Sequence, residues 1–426
     1  MTEQEKYLTY LQTIKGPFQK LCRIRFLNPD GSTAFFVDNN TRDKYSGAFI
    51  SDGSLTVNLQ NGVRRTASVK LANSDGTFDY NVNNLWFGQE IALDEGLVLP
   101  NGEDYYIQQG VFLLENPEET IQPGNRTITY RLVDKWANLD GTLWGKLEGT
   151  YMGALGVNIF QQIDALLQDD KGNGQKVDSV PPVYTEYYNG KTQALPDGKT
   201  ANLTDAPYTL TVEPGSGTYA SVILGFAEML NAWVGYDATG RLRIDPSQDD
   251  LLDINKPISY AFSMGEPTLS GLTYTSKNTE VYNDYIVLGE ALDDNSQPGA
   301  RATNLDPESD TNVNLIGRKT VWTNESGYAT QTQCKDRAEW EMKRATVLQK
   351  SVNISCSQIF HLTENTLVTV VRTDKAGAPI ERHLVMGFTR PLAGDGAMTI
   401  SAVSVADFPT ATVTEWPLKT KEQEGA

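Results

Sequence analysis

The chain offers few residues that could act as a general base. It has only two histidines, His361 and His383, and both fall in alternating patterns typical of strands. Histidine titrates closest to neutral pH, so catalytic proton transfer uses it most often. The H-E-x-x-H, G-x-S-x-G and P-loop patterns do not occur. Sequence order alone leaves open a Ser-His-Asp triad built from distant residues. We expect both histidines to be structural and the protein not to be an enzyme.

Carboxylates are the second group that could support chemistry. Glycoside hydrolases hold two acids a few ångströms apart. Neighbouring acids occur in predicted turns and at predicted helix ends, at Glu118/Glu119, Asp169/Asp170 and Asp249/Asp250. Solvated acids are normal in such segments, and the Asp-Gly turns lack the spaced ligands of a calcium loop. We therefore expect no catalytic residue, no metal ion and no cofactor.

A cluster of tyrosines could bind a ligand. Tyr184, Tyr187, Tyr188 and Tyr208 lie in the long polar stretch 169–217. Tyrosine combines an apolar ring with a polar hydroxyl, which suits contacts with sugars or proteins. Local packing of a long loop explains the cluster equally well, and the sequence does not separate the two interpretations.

The overall charge argues against a protein that holds DNA tightly. The 54 acidic residues exceed the 36 basic ones, giving a formal net charge of −18. A tight DNA-binding protein carries a basic face, whereas an acidic surface repels phosphate and would let DNA slide past. Acidity that only aids solubility is the alternative. The N-terminus resembles no signal peptide, and no apolar stretch is long enough for a membrane span.

The pattern of apolar residues predicts a mainly β protein with a few helices. Alternation marks strands such as Ser54–Leu59 and Arg126–Val133, and Asn61-Gly62 predicts a hairpin. Apolar residues at helical spacing recur at 2–14, 157–167, from 218 and at 330–348. Three well-separated cysteines, Cys22, Cys334 and Cys356, predict neither a disulfide framework nor a zinc site.

Two segments of the chain share a layout. Gly88–Asp134 and Asn365–Asp407 both read strand, turn, strand with a glycine near an aromatic residue, turn, and a long alternating strand ending in Asp. Gly110 and Gly387 predict a bulge or bend in the middle strand of each copy. Any two β-meanders share some of these features, but order and spacing agree over about forty residues. The repeat predicts two related small barrels.

Several short sequence segments, taken in chain order, resemble the tail hub family of long-tailed bacteriophages and contractile injection machines. They cover most of the chain: Val69–Phe78, Phe226–Leu230, Gly240–Pro246, Asp310–Arg318 and Thr369–Asp407. Leu362–Thr366 lacks the Gly-Asp turn expected before the next strand, and no lytic or carbohydrate-binding extension follows Phe408. The departures argue against a cell-wall-degrading role within this chain.

The resemblance implies a homotrimer in which each subunit contributes two tube-type β-barrels, so that three subunits meet a six-fold ring. Its implied partners are a distal tail or tail tube protein ring, the tape measure protein and tip or receptor-binding proteins. DNA would pass through the lumen without specific binding. The implied location is the tail tip of the virion, after assembly in the host cytoplasm.

The resulting fold class is α+β, mainly β, with helix-containing domains between two barrels. The predicted units are 1–140 (first barrel with an N-terminal helix), 141–264 (α+β domain with the long polar loop), 265–408 (second barrel, including helix 330–348) and 409–426 (polar tail). The strands expected to build the ring supply ten candidate interface residues, Leu55, Val57, Leu59, Ile128, Tyr130, Leu132, Val368, Val370, Met398 and Ile400. Two other functions remain open, a virion-associated glycan hydrolase and a receptor-binding tail protein.

Overall fold

A computed structural model confirms a mainly β protein with few helices. It describes residues 1–40, 48–74, 76, 78–79, 88–194, 199–246, 258–275, 279, 281–291, 297–325, 328, 330–347, 351–405 and 409–416. None of the helices within these ranges is long and apolar enough to cross a bilayer.

The first repeat follows a capped N-terminal helix. Thr2 caps the helix, with the reciprocal Thr2–Glu5 hydrogen bonds that the sequence predicts. The sheet runs in the order β2-β1-β5-β6-β8-β4-β3, and β7 pairs with β8 as a side hairpin. The elements are α1 (Glu3–Thr13), β1 (Lys20–Leu27), β2 (Thr33–Asp38), β3 (Ala48–Asn58), β4 (Arg65–Asn73), β5 (Glu90–Val98), β6 (Asp104–Leu114), β7 (Glu118–Gln122) and β8 (Asn125–Asp134).

A middle unit of short strands and two helices follows a 3-10 turn at Lys135–Asn138. Its own core packs the two helices against a three-stranded sheet of order β10-β15-β14. The elements are β9 (Tyr151–Met152), α2 (Ile159–Leu167), β10 (Val183–Tyr184), β11 (Thr192–Ala194), β12 (Thr200–Asn202), β13 (Thr211–Val212), α3 (Tyr219–Met229), β14 (Ala232–Tyr236) and β15 (Leu242–Pro246), with a further 3-10 turn at Glu186–Tyr188.

The rest of the chain forms two interleaved sheets. One has the order β17-β21-β24-β23-β22-β16, and the other, β20-β18-β19-β25, packs against helix α5. The elements are β16 (Ile258–Ser263), β17 (Leu269–Thr275), β18 (Asp284–Leu288), β19 (Gly299–Asn304), α4 (Val313–Ile316), β20 (Thr320–Asn324), α5 (Gln331–Val347), β21 (Ser351–Cys356), β22 (Leu367–Val371), β23 (Ile380–Pro391), β24 (Met398–Ser404) and β25 (Ala411–Glu415).

The four-stranded sheet does not follow the domain boundaries that the sequence predicts. The sequence places helix 330–348 in the second barrel, but α5 packs on this separate sheet. Helix α5 and three of the sheet's strands are inserted in the chain between β17 and β21. The sequence also assigns 409–426 to a polar tail, whereas Ala411–Glu415 pairs with β19 as an edge strand. The strand Ile258–Ser263, assigned to the middle domain, pairs with β22 of the second repeat. Apolar alternation did not identify these two strands, because each is only five or six residues long.

The internal repeat extends further than the sequence indicates. Six strands of the first sheet, β1, β3, β4, β5, β6 and β8, correspond in chain order and in sheet order to β16, β17, β21, β22, β23 and β24. The copies also differ. Among the described strands, the second copy has no counterpart of β2 or β7, and β16 runs parallel to β22 where β1 runs antiparallel to β5.

Both predicted glycine bends are β-bulges. Gln109, directly before Gly110, is the extra residue opposite β5, and Met386, directly before Gly387, is the extra residue opposite β24. A bulge turns one side chain out of the regular alternation and increases the local twist. The two bulges therefore lie at matching positions of the repeat, although they face different neighbouring strands.

The two sheets are not closed into separate hydrogen-bonded barrels within the described residues. The ends of each sheet are strands consecutive in the chain, β2/β3 and β16/β17, and no ladder joins either pair. The second half of β3 instead pairs with β23 of the second repeat. This ladder runs from Asn58 opposite Gly387 to Ser54 opposite Pro391. The two repeats thus share one continuous sheet and one apolar core.

We predict that Gly387→Ala lowers the stability of the whole sheet. A Cβ on Gly387 would lie 2.4 Å from the backbone oxygen of Val57, so β3 and β23 would have to separate. Overpacking of this kind costs about 1–3 kcal/mol. Urea unfolding measures the change, and Gly271→Ala on β17, where a Cβ meets no heavy atom within 4 Å, is the control. Equal stability of the two variants would contradict the prediction.

Candidate functional site

The bulged residue Gln109 lies where the two repeats meet. Its Nε2 donates to the carbonyl of Phe360 at 2.9 Å, and its Oε1 accepts from Nη2 of Arg390 at 2.5 Å. Its backbone oxygen accepts from Nη1 of Arg65 at 2.9 Å. Gln109 of the first repeat thus hydrogen-bonds groups of the second repeat on one side and Arg65 of its own repeat on the other. The bulge is what turns this side chain into the junction.

A charged cluster beside Gln109 is buried. Arg390 on β23 is fully buried, and its guanidinium forms an ion pair with Glu95 on β5 at 2.6 Å. Lys20 on β1 contacts the same carboxylate at 3.0 Å and also donates to Gln358 and to the carbonyl of Pro391. Burial lowers the pKa of Lys20. Charges buried to this degree are tolerated only when they are paired and hydrogen-bonded.

A second buried pair lies on the other side of Gln109. Arg65 at the start of β4 forms an ion pair with Glu364, which comes from the second repeat. Asp134 at the end of β8 accepts from the backbone N–H groups of Arg64 and Arg65 at 2.8 and 2.9 Å. Burial raises the pKa of Asp134 to about 6. These contacts hold the β3–β4 hairpin against both the first sheet and the second repeat.

The charged groups of the junction pair with one another across the two repeats. The carboxylates of Glu95 and Glu364 each face a guanidinium group. Across the part of the chain that the structure describes, no group of three or more His, Cys, Asp or Glu residues is placed to hold a metal ion. The arrangement is suited to fixing one repeat relative to the other.

The ten candidate interface residues all lie inside the chain. Each is 7 % exposed or less, and nine of them belong to the shared apolar core. Their strands could still face another subunit, but such contacts would have to use the alternate residues. The ring itself therefore stays a prediction. The residues concerned are Leu55, Val57, Leu59, Ile128, Tyr130, Leu132, Val368, Val370, Met398 and Ile400.

Both histidines occupy structural positions. His361 Nδ1 lies 2.9 Å from the hydroxyl of Tyr10, and its Nε2 lies 3.1 Å from the carbonyl of Ser259. The Tyr10 hydroxyl also accepts from two backbone N–H groups of the loop before β22, which fastens α1 to the second repeat. His383 on β23 is fully buried, with Nδ1 3.2 Å from the hydroxyl of Ser404.

The acid pairs and the tyrosines do not converge on one place. Glu118 and Glu119 lie on the fully exposed strand β7, and Asp170 caps the turn after α2 by accepting from the N–H of Gly172 at 2.7 Å. Asp249 and Asp250 lie outside the described residues. Tyr184 stacks on Phe160 of α2, with ring centroids 4.1 Å apart. Two more of the tyrosines, Tyr187 and Tyr188, contact each other edge to face, so local packing accounts for most of the cluster.

Sequence reasoning missed the residues of the junction. Gln109, Arg390 and Glu95 lie within strands whose other inward residues are apolar. A charged or amide side chain at an inward position of such a strand is the signal that could have identified them. The partner of each charge is remote in sequence, so the pairing itself was not visible.

Comparison with solved structures identifies the fold. The tail protein from Neisseria meningitidis MC58 superposes with a TM-score of 0.58 at 10% identity, covering 92% of this chain and 97% of that one. The 43 kDa tail protein of prophage MuSo2 from Shewanella oneidensis gives 0.56 at 12% identity, covering 90% and 98%. The half-lidded Francisella PdpA-VgrG complex gives 0.51 at 11% identity, covering 98% and 62%.

The shared fold confirms, at the level of architecture, the resemblance to tail proteins. No protein-family model matches the sequence, and no curated protein matches it. The two tail proteins are matched over nearly their whole length, so the correspondence covers both repeats and the middle unit.

We predict that Arg390→Met destabilises the junction strongly. The substitution leaves the buried carboxylate of Glu95 with only Lys20 as a charged partner. Breaking a buried pair costs about 3–5 kcal/mol. Urea unfolding measures the loss of stability. The control is Arg131→Met, which removes an exposed ion pair with Glu118 at 3.5 Å and should cost under about 1 kcal/mol.

A double substitution tests whether Arg390 and Glu95 act together. In Arg390→Met/Glu95→Gln, the loss should be smaller than the sum of the two single losses, because no unpaired carboxylate remains. Additive losses would mean that the contact contributes no coupling energy.

Acid should destabilise the protein partly through His383. Burial lowers the pKa of His383 to about 4, whereas an unfolded histidine titrates near about 6.5. Between these pH values the unfolded chain binds a proton that the folded chain does not, so the free energy of unfolding falls as pH falls. Protonation of this histidine in the unfolded chain should lower the free energy of unfolding by roughly 2–3 kcal/mol.

Urea unfolding at pH 7 and pH 4.5 measures this contribution. His383→Gln should lose less stability over this interval than the unaltered protein, and Thr142→Val, on an exposed loop, should lose as much as the unaltered protein. An identical loss in all three proteins would show that His383 does not contribute.

Proposed function

We propose that the chain is a structural tail protein, a trimeric hub at the tip of a phage-type tail. In this proposal three subunits form a ring that adapts a six-fold tail tube or distal tail ring to a three-fold tip. The fold shared with two tail proteins supports the assignment to a tail, and the internal repeat supports the hub.

The repeat is the observation that carries the proposal. Each subunit holds two six-strand units with the same order of strands, fixed side by side in one sheet. Three subunits therefore present six similar units, which is the number that a six-fold ring requires, while the assembly itself has three-fold symmetry. A single-copy barrel would offer no such match.

The charge of the chain suits a channel through which DNA moves. With a net charge of −18, a ring of three subunits would carry a strongly negative field. Phosphate would be repelled from the lumen wall, and a passing genome would not be held by counterion release. The expected partners are the tube or distal tail ring, the tape measure protein and the tip or receptor-binding proteins. The hub would assemble in the host cytoplasm and function in the virion.

The mass of the purified protein in solution tests the trimer. Light scattering should give about 141 kDa, three times the 47.0 kDa chain, and electron microscopy of the same sample should show a ring with a central channel. A mass that stays at one chain across concentrations and salt strengths, with and without a tail tube protein, would refute the hub.

A free strand edge provides a matched variant for this experiment. Strand β17 ends the continuous sheet and pairs only with β21 among the described strands, and Thr273 on it is exposed. Thr273→Lys places a charge at that edge and should reduce the trimer mass to that of one chain without lowering the unfolding temperature. Thr142→Lys, on an exposed loop of the middle unit, should leave the trimer intact.

A further inference from the structure

Strand β20 is an open edge of the four-stranded sheet, since it pairs only with β18 among the described strands. Before the strand, Asn283 donates its N–H to the carbonyl of Lys319. After it, Glu325 donates its N–H to the carbonyl of Leu288. Backbone groups alternate in direction along a strand, so every second residue of β20 points its N–H and C=O groups away from β18. The residues concerned are Thr320, Trp322 and Asn324.

The edge carries none of the features that usually protect a strand from further pairing. Its sequence, Thr320–Asn324, contains no proline and no charged residue, and its ladder with β18 has no bulge. Natural proteins protect open edges in these ways because an unprotected edge pairs with other chains. Extended peptides bind to sheets through such edges, with main-chain hydrogen bonds supplying affinity and side chains supplying specificity.

Large apolar side chains are exposed beside this edge. Trp322 is 52 % exposed, and Leu315 and Ile316, in the short helix α4 that precedes β20, are 69 % and 44 % exposed. Single exposed apolar residues are common on protein surfaces, whereas a group of them marks an interaction site. Three within residues 315–322, next to an unprotected strand edge, therefore indicate a surface that binds another chain.

The exposed tryptophan is held on the sheet face opposite α5. Trp322 is in register with Ile286, whereas the alternate residue Tyr285 packs towards α5. Its ring meets the ring of Trp416 edge to face, with centroids 5.3 Å apart. The guanidinium carbon of Arg301 lies 4.9 Å from the Trp416 ring centroid. These contacts fix the orientation of the exposed ring, which lowers the entropy cost of binding a partner.

Arg301 and Arg318 give this face a positive charge, because both pair with the fully buried Asp284, at 2.7 and 3.0 Å. One carboxylate thus faces two guanidinium groups, which leaves one net positive charge. The Arg318 side chain is 43 % exposed and therefore accessible to a ligand. Glu325, the acid directly after β20, pairs instead with Arg337 at 3.8 Å. A positive face on a chain of net charge −18 is complementary to an acidic partner.

We propose that β20 binds an extended, acidic peptide segment of a partner protein, which joins the sheet as an additional strand. The peptide backbone would pair with the outward N–H and C=O groups of β20. Its apolar side chains would pack on Trp322, and its carboxylates would contact Arg318. A strand edge pairs with a peptide backbone, which nucleic acid lacks, and the net charge of the chain disfavours a polyanion.

A second copy of this chain is a less suitable occupant. The acidic strand β7 pairs only with β8 among the described strands, so it is the edge that a second copy would offer. Its Glu118 already pairs with Arg131 at 3.5 Å. Its Glu119 already pairs with Arg126 at 2.5 Å. A partner segment whose carboxylates have no such neighbours would gain more from the positive face.

Fluorescence anisotropy with two labelled octapeptides tests the proposal on the full-length protein. The first has the sequence Glu-Thr-Val-Thr-Glu-Thr-Val-Thr, so that its carboxylates and valines share one face of the strand. The second replaces each glutamate by lysine. The acidic peptide should bind at least about tenfold more tightly than the basic one, and its affinity should fall as the salt concentration rises.

Substitutions at the edge identify the residues that contact the peptide. Trp322→Ala and Arg318→Gln should each weaken binding of the acidic peptide about fivefold to tenfold. The control is Ile121→Ala, which removes a 68 % exposed apolar side chain from the edge strand β7 and should leave the affinity unchanged.

Hydrogen exchange supplies a measurement that needs no substitution. The acidic peptide should slow exchange within 320–324, because it covers the outward N–H groups of β20. Residues 411–415 form the opposite edge of the same sheet and should exchange at an unchanged rate.

The inference would be overturned by the absence of binding, by equal affinity for the two peptides, by unchanged affinity in both edge variants, or by protection confined to segments other than 320–324. A loss of trimer mass in Trp322→Ala without peptide would also overturn it, because a second copy would then occupy the edge. The site belongs to one chain, so binding does not require a trimer. A trimer that binds no peptide would leave the hub proposal standing, and peptide binding by a single chain would leave this one.

Discussion

The burial of Arg390 against Glu95 is the interaction on which the arrangement of the two repeats depends. The guanidinium belongs to the second repeat and the carboxylate to the first, and neither is accessible to water. Removing two charges from water costs several kcal/mol for each ion, so the pair is tolerable only if both repeats are in place. Lys20 forms a second ion pair with Glu95, and Gln109 accepts a hydrogen bond from Arg390. These charges are therefore paired only when the two repeats are docked.

Backbone pairing reinforces this constraint. Strand β23 pairs with β22 over its first half and with β3 over its second half, along the same edge. Strand β23 changes its neighbour from β22 to β3 near Gly387, where the absence of a side chain allows β3 to approach. A bulge directly before this glycine sets the twist at which the second half of the strand leaves β22. A local feature of one strand thus determines how two six-strand units are joined.

The sequence predicted local features well because their causes are local. The capping box at Thr2/Glu5 and the bulges beside Gly110 and Gly387 depend on residues a few positions apart. The single continuous sheet was not predictable in this way, since it depends on pairing between Asn58 and Gly387, far apart in the chain. Alternation identified the inward faces of the strands correctly. It could not tell whether those faces meet the chain's own core or another subunit, because both environments select apolar residues.

The shared sheet limits how a hub built from this chain could move. A hinge between the two repeats would have to break the β3–β23 ladder and expose the charges around Arg390, which makes such a motion costly. The four-stranded sheet is different, because it pairs with no strand of the shared sheet and has its own small core around α5. Motion of that insert, or sliding between subunits, leaves the buried junction intact. In the proposed assembly we therefore expect the two repeats of each subunit to act as one rigid body, so that opening of the channel takes place at the boundaries between subunits.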